Sequence, residues 1–466
     1  MLPRWQIRLR MTTNPPKPDP MEVTREAIGQ AIGEATGKAT GGMTGGSKPA
    51  PADLNRLLIE NLNRRSERGQ LRSRRMVRIL DATHVEVAGR RCINFAANNY
   101  LGLTHHPRLL ALSQSTSAGV GSAAAGLISG YTQAHASAEA RIARWKSAES
   151  AVLLPSGYQA NFAAIQTFAA LSDGDGRSVR FLVDKLAHAS LIDAVRAAGL
   201  PFRVYPHNIM AKLERLLQEA DRSQLQVVVT ESIFSMDGDA ADLAGIAALK
   251  SDYGFALLLD EAHASGVYGK GGAGLTSEMG LTNLADVTVC TLSKAAGGIG
   301  GAVCGSQLFC DGLINFGRAY IFSTAVPPWV AQMAETAIGI MDDEPWRQRR
   351  VRSLAVHVRN MLKGEGVHVP DGDSPIVAII LGNELDATDA AAEFLGSGIF
   401  VPAIRPPSVA PGTSRLRITL SSDHTDDEIE HLLACIKKSV KPGTLKLAPL
   451  KLAARTGDQC ASPQSA

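Results

Sequence analysis

Lys294 stands in Thr291-Leu292-Ser293-Lys294, just past the apolar run Val287-Thr288-Val289-Cys290, and Asp260 follows an earlier apolar run, Leu257-Leu258-Leu259, opening Asp260-Glu261-Ala262-His263. A carboxylate at the end of an apolar run is costly unless something pairs with it. An amine can condense with an aldehyde, and a carboxylate can keep a proton on a heteroaromatic nitrogen. These two groups are what pyridoxal 5'-phosphate (PLP) needs, so that its ring can draw electrons from a substrate carbanion. Lys294 would supply the amine and Asp260 the partner of the ring nitrogen.

The neighbouring motifs complete such a site. Ser156-Gly157-Tyr158-Gln159-Ala160-Asn161 follows a predicted strand ending at Leu154 and opens a helical stretch. Amides at a helix start, with Gly157 permitting close approach, make a phosphate seat, and Tyr158 would pack nearby. Thr291 and Ser293 add hydroxyls suited to the same phosphate, and the run Gly297-Gly298-Ile299-Gly300-Gly301 lets the backbone bend after Lys294. His188, in Asp184-Lys185-Leu186-Ala187-His188-Ala189-Ser190, is an ordinary loop histidine in isolation; beside a PLP ring it is the flat side chain that would fix the ring plane. Ser235 and His263 would reach the phenolic oxygen. Asp237-Gly238-Asp239 lacks the further oxygen ligands of a calcium loop, and no metal is expected. A dinucleotide reading of the glycine run leaves the lysine unexplained and lacks a suitably spaced acidic residue downstream.

Such groups need a scaffold. The chain has 466 residues, 45% apolar and 20% charged, the composition of a globular enzyme with ample core. A net charge of +3 implies no nucleic-acid partner, and the arginines Arg64, Arg65, Arg68, Arg72, Arg74, Arg75 and Arg78 read as a solvated face without interleaved aromatic residues. Six scattered cysteines, several inside apolar runs, fit a reducing compartment. No apolar stretch suits a membrane span and no apolar segment follows the basic start, so a cytoplasmic location is expected; Glu22, Glu26 and Glu34 argue against an organelle presequence.

Residues 1–52, rich in Gly, Thr, Pro and Lys, read as a flexible extension in which Met11 or Met21 could be the true start. Residues 53–100 form an N-terminal arm beginning with a helix capped by Asp53. Residues 101–330 alternate short β-rich runs with helical stretches, the pattern of a mostly parallel sheet covered by helices, and each candidate motif directly follows a strand. Residues 331–440 read as a smaller α+β domain, with strands from Ile376 and from Arg415, a helix capped at Thr388 and another from Asp426; residues 441–466 form a loose tail.

Over residues 54–440 the chain resembles the α-oxoamine synthases, PLP-dependent acyltransferases of the aspartate-aminotransferase-like fold type I. The resemblance runs in order through Asn98-Asn99-Tyr100-Leu101-Gly102-Leu103, Ser129-Gly130-Tyr131, Ser156-Gly157-Tyr158, His188-Ala189-Ser190, Phe234-Ser235-Met236-Asp237-Gly238-Asp239, Asp260-Glu261-Ala262-His263, Thr291-Leu292-Ser293-Lys294 and Ile321-Phe322-Ser323-Thr324. The stretches Val401 to Val409 and Gly412 to Arg417 look most like the members of the biotin pathway. The resemblance implies condensation of a small amino acid with an acyl thioester and loss of carbon dioxide; for those members the substrates are L-alanine and a pimeloyl group on CoA or acyl carrier protein. It also implies that Arg417 binds the amino-acid carboxylate with Asn98 beside it. Ser323 and Thr324 would reach the phosphate of the neighbouring subunit, making a homodimer, and Ser408 and Arg72 would serve the substrate, Arg72 at the far carboxylate of a pimeloyl chain. Lys294 would act as general base, with His188 and His263 orienting the ring.

The sequence departs from the family pattern at Ser122-Ala123-Ala124-Ala125-Gly126, where methyl groups narrow the adjoining cleft, at Ala273, and at Ala295-Ala296. Other readings are a sister acyltransferase using glycine with acetyl-CoA or serine with a long acyl chain, and a non-catalytic partner subunit. Lys294, Asp260, His188 and Arg417 together disfavour the last.

Overall fold

The structure, a computed structural model, describes residues 53–114, 119–172 and 179–439. The expected extension, the tail and Cys460 lie outside the described residues. The chain divides into two units, the part up to Arg78 together with Glu86–Arg91, and the rest. In the first, the helix Leu54–Glu67 opens at Asp53, whose carboxylate accepts the Asn55 amide proton at 3.0 Å, the local bond that makes aspartate a good cap. Three strands follow in the chain, β1 (Val77–Ile79), β2 (His84–Val87) and β3 (Arg90–Asn94).

The second unit is built on seven strands: β4 (Ser150–Leu154), β5 (Val179–Asp184), β6 (Phe202–Tyr205), β7 (Leu225–Glu231), β8 (Ala256–Asp260), β9 (Val287–Thr291) and β10 (Gly301–Gly305). Their order is β4-β10-β9-β8-β7-β5-β6, all parallel neighbours except β10, which runs antiparallel to both β4 and β9. Alternate residues on a strand face opposite sides, and both sides are apolar here. Leu153, Leu182, Val228, Leu257, Leu259 and Cys290 join one core; Leu154, Val183, Val227, Val229, Leu258 and Val289 join another. Covered on both faces, the sheet reads as continuous apolar runs.

The same parity places the chemistry. Glu231 keeps step with Val227 and Val229, Asp260 with Leu258, and Thr291 with Val287 and Val289, so all three lie on one face at the carboxyl ends of adjacent strands. The helix Gly157–Ala169 packs on that face through Ala160, Ala164 and Phe168.

The smaller C-terminal domain holds β11 (Ile376–Gly382), β12 (Ile399–Phe400), β13 (Ala403–Ile404) and β14 (Ser414–Thr419), with β11, β14 and β13 forming one antiparallel sheet. Strand β12 instead pairs in parallel with Ile93 and Asn94 of β3. The helix expected from a Thr388 cap begins earlier, at Glu384, with Asn383 as the cap accepting from the Asp386 amide at 2.8 Å. Thr388 lies one turn inside, its hydroxyl donating back to the Glu384 carbonyl at 3.1 Å; the acidic residues Glu384 and Asp386 suit a first turn. The five cysteines among the described residues are free and buried, and no helix there is long and apolar enough to cross a membrane.

Candidate active site

Asp260 ends β8 and is 4% exposed. Its Oδ1 accepts from the Ala262 amide at 2.8 Å and its Oδ2 from Asn161 Nδ2 at 2.8 Å. Asn161 comes from the first turns of the helix Gly157–Ala169, and the same Nδ2 donates to Ser190 Oγ at 2.8 Å. Ser190 Oγ in turn lies 2.7 Å from His188 Nδ1, at the residue that caps the helix Ala189–Ala198. A single polar chain therefore links the ring-nitrogen carboxylate to the histidine expected over the ring. Burial lowers the proton affinity of His188, against a pull upward from Asp260 and a push downward from Lys294.

Lys294 follows β9 in the bend that the left-handed backbone of Gly297 and Gly300 makes possible. Its Nζ is 2.8 Å from His263 Nε2, and His263 Nδ1 is 2.6 Å from Tyr100 Oη. Tyr100 donates to Asn98 Oδ1 at 3.2 Å, which also accepts from Arg417 Nη1 at 3.0 Å. These roles fix one consistent proton arrangement. The phenol gives its proton to Asn98, so it accepts from His263 Nδ1–H, which leaves Nε2 as the acceptor facing Lys294. Burial, with the positive fields of Lys294 and Arg417, holds His263 well below the ordinary histidine range, so the ring is neutral as this requires. Burial likewise brings Lys294 down to about 8, with Asp260 and Glu231 opposing the shift and Arg417 adding to it.

Arg417, 6% exposed on β14, is oriented from two further sides, by the Ser235 carbonyl at 2.6 Å and by Thr419 Oγ1 at 3.0 Å. The loop carrying Ser235 is held by ion pairs on its acidic residues, Asp237 with Arg415 and Asp239 with His207, the latter at 2.7 Å. His207 Nδ1 meets Asp184 at 3.0 Å.

At the other end of the site, Ser156 caps the helix Gly157–Ala169 by accepting the Gln159 amide at 3.2 Å. A Cβ on Gly157 would sit 3.3 Å from Thr291 Oγ1, so glycine lets the helix start close on β9. Thr291 Oγ1 lies 2.8 Å from Ser293 Oγ. Ser323 Oγ accepts from Gln159 Nε2 at 2.9 Å within the chain, and the exposed Thr324 pairs with Ala125. Tyr158 donates to Asp193 at 3.1 Å and stacks on Phe162.

Lys294, His188, Asp260, His263, Asn98, Arg417, Ser235, Gly157, Thr291 and Ser293 thus belong to one unit and to a connected set of strand ends and caps. Ser408 is exposed in the loop after β13, and Arg72 is exposed in the N-terminal unit between its helix and β1. Four residues without an assigned role in the sequence reading shape the site. Asn161 and Tyr100 hold Asp260 and His263, and Glu231 lies in register with Asp260. Lys146 donates to Glu261 at 2.9 Å, to Ser265 and to the Ala273 carbonyl beneath the Asp260-to-His263 segment. Strand parity was the available signal for Glu231; nothing in the sequence marked Lys146.

The donor set fits PLP. A lysine amine with lowered proton affinity, a carboxylate held by two N–H groups, a flat imidazole joined to that carboxylate, and a capped helix start beside two hydroxyls match its aldehyde, ring nitrogen, ring face and phosphate. The buried Oδ1 of Asn161 without a protein partner is a further acceptor beside Asp260.

Comparison with known proteins agrees. The profile of the family described as aminotransferase class I and II matches residues 90–436. The 8-amino-7-oxononanoate synthase of Trichlorobacter lovleyi is 38% identical over 82% of this chain and 97% of its own length. Among solved structures, SPT with PLP superposes with a TM-score of 0.77 at 26% identity, covering 83% of this chain and 98% of that one. The 8-amino-7-oxononanoate synthase of Francisella tularensis gives a TM-score of 0.64 at 27% identity, covering 75% and 98% respectively. The chain belongs to the class I and II aminotransferase family, as a fold type I, PLP-dependent acyltransferase of the α-oxoamine synthase group.

Proposed function

We propose that the protein joins L-alanine to a pimeloyl thioester, carried on CoA or acyl carrier protein, to form 8-amino-7-oxononanoate in biotin biosynthesis. The observation that carries this reading is the 38% identity to a synthase of that name across 97% of its length. In the overall reaction a carbon–carbon bond forms between the alanine α-carbon and the thioester carbonyl carbon. The thiolate leaves, the amino-acid carboxylate departs as carbon dioxide, and a proton returns to the α-carbon.

PLP, when bound, supplies an aldehyde that condenses with amines and a ring that accepts electron density from the α-carbon. The protein's groups would do the rest. Asp260, kept in place by Asn161 and the Ala262 amide, holds the ring-nitrogen proton. Arg417, with Nε and Nη1 engaged by Ser235, Asn98 and Thr419, presents a fixed guanidinium to the alanine carboxylate. Lys294 Nζ takes the α-proton and later returns it; with an affinity near 8 it exchanges a proton at little cost near neutral pH. His263 Nε2, fixed through Tyr100, orients that amine. His188 would face the ring and, when protonated, would assist at the thioester carbonyl. Ser235 would donate to the phenolic oxygen, with His263 beside it; Gly157, Tyr158, Thr291 and Ser293 would seat the phosphate, with Ser323 and Thr324 reaching that of a second copy in a homodimer. Ser408 would serve the acyl chain.

The higher TM-score against SPT supports a second reading, serine with a longer acyl chain. Titrating the PLP-loaded protein with L-alanine, glycine and L-serine separates the two. Saturable change of the visible spectrum at the lowest concentration of alanine is expected; preference for serine would move the protein to the second reading.

A further inference from the structure

Asn98 and Tyr100 supply the middle of the polar chain from Lys294 through His263 to Arg417, yet they lie between β3 and the short helix Leu103–His105, in neither strand nor helix. Backbone outside regular structure needs other partners for its polar groups. Two of these come from far along the chain. The Tyr100 carbonyl accepts the Ser422 amide proton at 2.8 Å, and the Leu101 carbonyl accepts from Arg347 Nη1 at 2.9 Å. Gly102 follows with φ +69°, and a Cβ there would collide with the Asp423 carboxylate.

Arg347 holds that same carboxylate, Nη1 donating to Asp423 Oδ1 at 2.6 Å, while its Nε donates to Glu344 Oε2 at 2.7 Å. Its guanidinium lies 4.5 Å from the Trp346 ring centre, and the side chain is 12% exposed. An arginine in the first turn of the helix Trp346–Gly364 opposes the helix dipole, and Glu344 just before it offsets that charge. Glu344 also meets His106 Nε2 at 2.9 Å, just past the short helix. Ser422 and Asp423 stand in the turn after β14, the strand of Arg417. One planar fork therefore ties the segment that presents Asn98 to the strand end that presents Arg417.

We propose that Arg347 is a positioning residue for amino-acid binding, which sets Asn98 against Arg417 by holding the Leu101 carbonyl and Asp423 together. It touches no reacting atom and acts through Asn98. The inference rests on the assignment of Arg417 to the amino-acid carboxylate.

The experiment measures the half-saturating concentration of the preferred amino acid, by the visible spectrum of the PLP-loaded protein, together with the PLP dissociation constant. It compares wild type, Arg347→Met, Arg347→Lys, Asn98→Ala and the double variants. Arg347→Met is expected to raise the amino-acid value about fivefold to thirtyfold and to leave the PLP constant within about threefold. Arg347→Lys keeps the charge between Glu344 and Asp423 without the fork, and should raise the amino-acid value about threefold or more. In the Asn98→Ala background either substitution should change it by less than about twofold, because the route is already cut. An unchanged amino-acid value, an equal loss of PLP binding, or the full factor persisting without Asn98 would each overturn the proposal. If the methionine variant does not fold, the lysine pair decides by the same criteria. Failure of the functional reading shows in the wild type, as no saturable response to any amino acid, and takes the proposal with it; failure of the proposal alone shows only in the variants.

Discussion

The amine of Lys294 gives the account a quantitative handle, because PLP condenses only with a neutral amine. An ordinary lysine, with an affinity of 10.5, is neutral in about one molecule in three hundred at pH 8; at an affinity of about 8 the fraction is about half. Burial drives that shift, Asp260 and Glu231 oppose it and Arg417 reinforces it. The perturbation is pH, applied to protein stripped of PLP, and the assay is stopped-flow growth of the visible band after PLP is added back. Between about pH 6 and 7 the rate should climb close to tenfold, between about pH 8 and 9 it should rise less than twofold, and above that it should be flat once the titration of PLP itself is divided out. The Lys294→Ala variant should show no such phase. A rate that keeps rising tenfold per unit to about pH 10 would mean an ordinary, solvated lysine and would refute the buried, partnered amine described here.

Burial lowers the proton affinity of His207, but hydrogen bonds and charge from Asp184 and Asp239 outweigh it and lift the imidazole to about 9. A raised folded-state affinity stabilises fully below the unfolded value near 6.5 and is lost as pH rises through about 9. The Tm gap between wild type and His207→Gln should therefore be largest near pH 6 and should narrow above pH 9; a gap that widens with pH would contradict the clamp. Lys146→Met strips the partner from Glu261, whose side chain is 0% exposed, and should cost about 3–5 kcal/mol in urea unfolding. A cost under about 1 kcal/mol would mean the ion pair holds nothing. Arg417→Lys keeps the charge but loses the planar fork, and should raise the amino-acid KM about tenfold to hundredfold with a smaller effect on the KM of the acyl thioester. Equal effects on both would remove Arg417 from the carboxylate.

Much of the site was readable because its groups terminate apolar runs. Asp260 and Lys294 each stand where a strand's pattern stops, and the helix-start motif at Ser156 announces itself by composition. What supports those groups was harder to see. Asn161 meets Asp260 across 99 positions of sequence and Tyr100 meets His263 across 163, and no local pattern encodes such distances. Strand β6 alternates poorly, with Arg203 and Val204 exposed at the sheet edge, and β10 is a short run with glycine at both ends. The Thr388 cap failed for a local reason: Asn383, with acidic residues in the following turn, is the better start, and threonine inside a helix can satisfy its hydroxyl on the preceding turn.

The central claim is acyl transfer with decarboxylation on an aminotransferase scaffold. Incubating the PLP-loaded protein with carboxyl-labelled L-alanine and pimeloyl-CoA, and following free thiol, labelled carbon dioxide and product mass together, tests it most directly. The account predicts one thiol and one carbon dioxide for each 8-amino-7-oxononanoate formed, and none when either substrate is omitted. Conversion of alanine to pyruvate without thiol release would contradict it.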